Sequence, residues 1–199
     1  MNLFDKIFGR TKVIDETEKV ELMNPNEIWF TTPTISNEFP LMVATTKQTD
    51  FDIYIHEDDY RQNEFLNFSS QSLIDKEFIG IKNILENHSK KSEDYTLFKT
   101  CHVRDTIGAP NLKINFHELK TLLKCNSFGQ VIINDETLAN GFAIKTKNTT
   151  YFGTLNIDTV TELCIAQWNE STINEIKEIN KTFNLLFVNW YHCDIIKND

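Results

Sequence analysis

The sequence predicts an α+β fold, mostly antiparallel sheet with two or three helices. Two patterns carry that reading. Short apolar runs alternate with polar residues, as at Phe51, Ile53 and Ile55 against Asp52 and Tyr54, which is the period of a half-buried strand. Helical spacing is confined to a few stretches, chiefly Ile74, Phe78, Ile81 and Leu85, and later Ile173, Ile176, Ile179 and Phe183. The composition is that of a globular chain, 40% hydrophobic and 25% charged over 199 residues, with 15 Phe to fill a core. A chain of this length buries roughly 70% of its unfolded surface and folds without staples.

Leu3, Phe4, Ile7 and Phe8, stopped by Gly9, predict a short amphipathic helix docked on the body. Residues 12–24 are charged and connective. Residues 27–32 and 41–46 are apolar and β-rich, so they read as two strands, with Pro33 and Pro40 bracketing the loop between them. Residues 51–68 read as strand, acidic turn and strand: a hairpin whose turn is His56-Glu57-Asp58-Asp59. Ser72 is the expected N-cap of the next helix, with Asp75 suited to its dipole. Residues 88–94 are a polar connection. Residues 95–103 predict a strand, ended by Arg104-Asp105 and the Gly108-Ala109-Pro110 break.

The second half opens with a short helix over 116–124 and a strand over 130–134. Residues 141–147 and 150–155 predict a hairpin around Asn148-Thr149, and 162–168 another strand. Thr172 and Glu175 have the spacing of a capping box ahead of a helix. Residues 185–196 are apolar almost throughout and read as one buried strand.

The organisation expected is an N-terminal helix and connector (1–24), a first α+β half (25–110) and a second (111–199), or one continuous domain in their place. Both halves end with strands, a Ser- or Thr-capped helix and a strand. Aligning Leu97-Phe98 on Leu186-Phe187 matches Asp105 with Asp194 and Ile107 with Ile196. Either two similar β-β-α-β halves arose by duplication, with a cleft between them as the natural binding site, or a common unit recurs by chance.

The net charge of −9 argues against nucleic acid, which draws on clustered Lys and Arg. It suits a basic protein partner reached by electrostatic steering. The four cysteines, Cys101, Cys125, Cys164 and Cys193, are widely spaced with no CxxC, as for reduced, buried thiols. No export-type or membrane-spanning apolar run is present, so the expected location is the cytoplasm, with no membrane partner.

Reaction motifs are missing: no Walker loop, GxGxxG, GxSxG, HExxH or EF-hand loop, and only six Gly to build phosphate cradles. No cofactor is expected. Cys101-His102 and His192-Cys193 suggest a zinc site, but neighbours in a strand point to opposite faces, so each pair offers one ligand to a common point. The same geometry argues against a Cys–His nucleophile, and neither a metal site nor a catalytic residue is assigned. The binding residues expected are His56, Glu57, Asp58, Asp59 and Arg61. The competing reading is a solvated turn in which Arg61 offsets its neighbouring carboxylates.

The stretch EDDYRQNEFLN from Glu57 to Asn67, with VNWYHCDII near the end, resembles a motif of small bacterial proteins of uncharacterised function. Some of these are suspected immunity proteins of polymorphic toxin systems. The resemblance implies a cytoplasmic, non-enzymatic α+β protein that binds and blocks one cognate toxin. It carries no binding residue across. The alternative, from a different class, is a small-ligand-binding protein or enzyme with a cleft between two halves, using His56 with a carboxylate as acid and base.

Overall fold

A computed structural model describes residues 28–197, apart from 39, 45–48, 93–94 and 126. The N-terminal helix expected from Leu3, Phe4, Ile7 and Phe8 and the connector over 12–24 lie outside the described residues. In chain order the strands and helices are β1 (Thr34–Ser36), β2 (Met42–Val43), β3 (Phe51–Tyr54), β4 (Asn63–Asn67), α1 (Gln71–Asn87), β5 (Ser89–Lys91), β6 (Thr96–Phe98) and β7 (His102–Arg104). There follow β8 (Ile114–Asn115), α2 (Phe116–Leu122), β9 (Gly129–Ile133), β10 (Glu136–Leu138), β11 (Gly141–Lys145), β12 (Thr150–Asn156), β13 (Thr159–Ile165), α3 (Ile173–Phe183), β14 (Leu185–Asn189) and β15 (Asp194–Ile196). This is the α+β class, mostly antiparallel, with three helices.

One large sheet runs β15-β14-β4-β13-β12-β11-β9-β10-β2, with β3 added to β9 and β8 added to β13. Its pairs are antiparallel except β3 on β9. Alternate side chains feed opposite faces, as the pleat requires. Phe65, Phe142, Tyr151, Leu163, Leu185 and Phe187 point to the face covered by α2 and α3 through Leu119, Ile176 and Ile179. Leu66, Leu186 and Val188 point the other way, under Ile74, Phe78 and Ile81 of α1. Val131, Ala143, Phe152 and Cys164 continue that second face beneath Tyr60.

Several expectations change. Residues 51–68 are not a hairpin. β3 pairs with β9 and β4 with β14 and β13, so the two strands lie far apart in the sheet. Period-2 patterning reports burial, not the identity of the neighbour. Residues 28–32 form only a bridge from Phe30 to Phe98, while the loop between the prolines holds β1, parallel to β7. β5 and β6 pair antiparallel, and the strand expected over 95–103 is broken into β6 and β7, in separate small sheets. Residues 185–196 are likewise two strands, folded back through a turn at 190–193 where Cys193 adopts φ 54°.

The capping box also shifts. Asn169 caps a short 3-10 turn with Thr172 in reciprocal contact, and α3 follows from it. Glu175 instead accepts hydrogen bonds from Asn148, Thr146 and Tyr151, tying the β11–β12 turn to α3. Leu97-Phe98 and Leu186-Phe187, whose alignment left duplication and chance recurrence both open, lie in different sheets. The first sits in the small β5–β6 sheet, the second in the large one. That sheet interleaves the chain, placing β4 between β13 and β14.

Candidate functional site

The candidate surface is built on an ion cluster in the interior. Arg61 follows the acidic turn and adopts φ 58°, a left-handed conformation unusual for a long side chain. That twist sends the guanidinium inward, where it is 1% exposed. Its Nε donates to Glu64 Oε2 at 2.7 Å, Nη1 to Ser36 Oγ at 3.2 Å and Nη2 to the Gly108 carbonyl at 2.8 Å. Glu64 accepts at its other oxygen from the Trp190 indole, also at 2.7 Å. Arg104 lies against the same group, its Cζ 4.9 Å over the Trp190 ring. Arg104 donates to Thr34 Oγ1 at 3.2 Å and to the Arg61 carbonyl at 3.0 Å. Two buried arginines thus lie side by side, and of the two it is Arg61 that bonds the Glu64 carboxylate.

Burial pushes the Arg104 guanidinium down to about 10, with Glu64 opposing the drop and Arg61 adding to it. For Arg61 burial works in the same direction, but the adjoining Glu64 carboxylate outweighs it and raises the group. A second ionic contact lies on α1. Glu77, 2% exposed, binds the His102 Nε2 at 2.6 Å and accepts from the Thr106 amide at 2.8 Å and from the Thr106 hydroxyl. Burial acts to raise the Glu77 carboxyl, yet these bonds from Thr106 and His102 hold it below its ordinary value.

The expected binding residues divide into two sets. His56 through Asp59 are brought together as a 3-10 turn, Glu57–Asp59, with His56 as its cap. Glu57 and Asp59 are exposed and Asp58 is half-exposed. Glu57 accepts from Asn134 at 2.8 Å. His56 Nδ1 accepts the Asp58 amide at 3.2 Å and lies 3.7 Å from the Asp58 carboxylate. Arg61 departs from the expectation. It does not offset the turn's carboxylates, because Glu64 holds it inside.

Beneath the turn, Gln62 Nε2 donates to the Asp58 carbonyl at 2.8 Å, to the Thr34 carbonyl at 2.6 Å and to Thr32 Oγ1 at 3.3 Å. The turn is thus tied to the interior at two consecutive residues, Arg61 and Gln62. Beside it opens a polar cleft of about 470 Å³, reaching from the acidic turn across the start of β4 to Asn189, Tyr191 and His192. His56 and His192, far apart in sequence, both line it.

Burial suppresses the thiolate form at three of the four cysteines. Cys164 and Cys193 are buried, Cys101 and Cys125 half-buried, and all four are free thiols. Burial pushes Cys101 and Cys193 up to about 11 and Cys164 well above its ordinary value. His192 and Cys193 sit in a turn rather than a strand, so the opposite-face reasoning does not apply to that pair. Among the described residues no three His, Cys, Asp or Glu side chains gather as metal donors, and no helix is long and apolar enough to cross a membrane.

Sequence reasoning missed the connected group of Arg61, Glu64, Arg104 and Trp190, and the separate contact of Glu77 with His102 and Thr106. For Glu77 a signal was present: it falls on the apolar stripe of α1, between Ile74 and Ile81, where a carboxylate needs a buried partner. No family model, curated protein or solved structure matches this chain.

Proposed function

We propose that this chain is a binding protein whose contact surface is the Glu57–Asp59 turn with the cleft beside it, and whose partner is a basic protein. The supporting observation is the anchoring of that turn. Three carboxylates project from a backbone held below by Gln62 and Arg61. A turn ordered before contact loses little freedom on binding. Its carboxylates, on a chain of net charge −9, steer a cationic partner. The immunity-type function belongs to the same proposal: occluding a basic toxin in the cytoplasm requires a shaped acidic surface and no reaction.

The experiment is parallel capture from lysate with the wild type and with Glu57, Asp58 and Asp59 all changed to Lys. The expected result is a basic protein retained by the wild type and lost with the variant, its association slowed most at low salt. Equal retention of the same protein by both would overturn this assignment of the surface.

The cleft favours a second reading, a small-ligand protein, because His56 and His192 share it with Asp58. His56 would then act through Nε2, its Nδ1 being used by the turn. On that reading a metabolite screen finds a compound that raises Tm, and His56→Ala abolishes the rise. A screen with no shift retires it.

A further inference from the structure

The cleft beside the acidic turn has a chemical bias beyond its charge. Gln62 and Asn63 both line it. Gln62 is 7% exposed, and although its amide nitrogen has three acceptors, its Oε1 has no hydrogen-bond partner among the described residues. The Asn63 Oδ1 is buried and unpartnered in the same way. Asp58 and Asp59 add carboxylates, and neither Lys nor Arg lines the cleft. The charged side chains of fixed sign that line the cleft are thus the Asp58 and Asp59 carboxylates. Tyr191 supplies an aromatic wall, its ring fixed edge-on against Phe98 at 6.0 Å and His192 at 5.0 Å.

We infer that this cleft is a site for a guanidinium group, presented by an arginine side chain of the partner, an inference that rests on the binding-protein reading. A guanidinium is planar, permanently charged and carries five donors and no acceptor. It can meet a carboxylate with two parallel donors while it stacks on a tyrosine ring. An ammonium has fewer donors and no plane to stack, and an anion would be repelled by the Asp58 and Asp59 carboxylates. The volume of about 470 Å³ leaves room for the side chain with its stem.

The probe is N-acetyl-arginine methylamide, titrated into the full chain while the side-chain amide resonances of Gln62 and Asn63 and the backbone of Tyr191 and His192 are followed by NMR. The neutral isostere, N-acetyl-citrulline methylamide, is the control. The expected result is a saturable shift at those four residues with the arginine compound, and binding about tenfold weaker for the citrulline compound and for Asp58→Asn. Glu118→Gln, exposed on α2 and outside the cleft, leaves the affinity unchanged. Shifts of equal size with both compounds, shifts spread over the acidic surface, or none at all overturn the inference. If the arginine compound fails while the triple Lys variant still loses its partner, the cleft is retired and the acidic surface stands. If the compound binds while capture is insensitive to charge reversal, the guanidinium site stands and the acidic surface falls.

Discussion

At the scale of single residues the decisive feature is a charged cluster with little solvent. Glu64 is the one carboxylate that both Arg61 and the Trp190 indole reach. Glu64→Gln keeps the shape but strands a guanidinium that is already short of carboxylate. The expected loss is about 3–5 kcal/mol, read by urea unfolding. Glu77 gives a pH signature. Its folded value is lowered, so its contribution is fully present above the unfolded value of about 4.3 and is lost as pH falls through the folded one. In Glu77→Gln that contribution is missing throughout. The wild-type advantage in Tm should therefore be full near neutrality and shrink towards nothing on acidification below about pH 4; an advantage that persists unchanged into acid would contradict it. Arg61 shows why such residues are hard to read from sequence. Its charge and its place beside three carboxylates were legible. The left-handed backbone that turns it away from them was not, because only tertiary partners compensate the roughly 1–2 kcal/mol that conformation costs a non-glycine residue.

At the scale of elements, the legible ones were those whose pattern is local. Both amphipathic helices and the β11–β12 hairpin follow from spacing that repeats over many residues. β1, β2, β8 and β10 span two or three residues each, too few for a period to show, and exist through their neighbours. The docking of α1 on β7 illustrates what pattern omits. Gly80 faces the His102 ring, and a Cβ there would run into its Cε1 and Nδ1. The small residue lets the helix close on the strand so that Glu77 reaches His102. Gly80→Ala should destabilise by about 1–3 kcal/mol despite the better helix propensity of alanine. His102→Ala in the same chain should relieve most of that penalty, and a double-mutant cycle by urea unfolding measures it. Additive losses would show that the ring is not what constrains the glycine.

At the scale of the molecule, the fold class was legible and the connectivity was not. The expected halves share one sheet, with β4 seated between β13 and β14 and the interior cluster drawing Arg61, Arg104 and Trp190 from distant stretches. Composition and periodicity carry no information about which strand lies beside which. If the chain is divided at residue 110, the first piece leaves β4 with neither neighbour and Glu64 with no indole. Neither 25–110 nor 111–199 should give a dispersed NMR spectrum alone. Mixed together they should recover it, and the intact chain should unfold in a single transition by far-UV and near-UV circular dichroism alike. A folded, isolated 25–110 would restore the two-unit description.

The pairing of β4 with β14 also has a meaning for how the protein is made. Glu64 and Trp190, joined by a hydrogen bond in the finished molecule, are 126 residues apart. At synthesis rates of about 5–20 residues per second, roughly 6–25 s separate their appearance from the ribosome. Throughout that interval the nascent strand Asn63–Asn67, with Phe65 and Leu66 at its centre, is without its partners. Arg61 and Glu64, still hydrated then, keep that segment soluble while it waits. The charges later enclosed in the core thus act first as a guard against mispairing before the chain is long enough to fold.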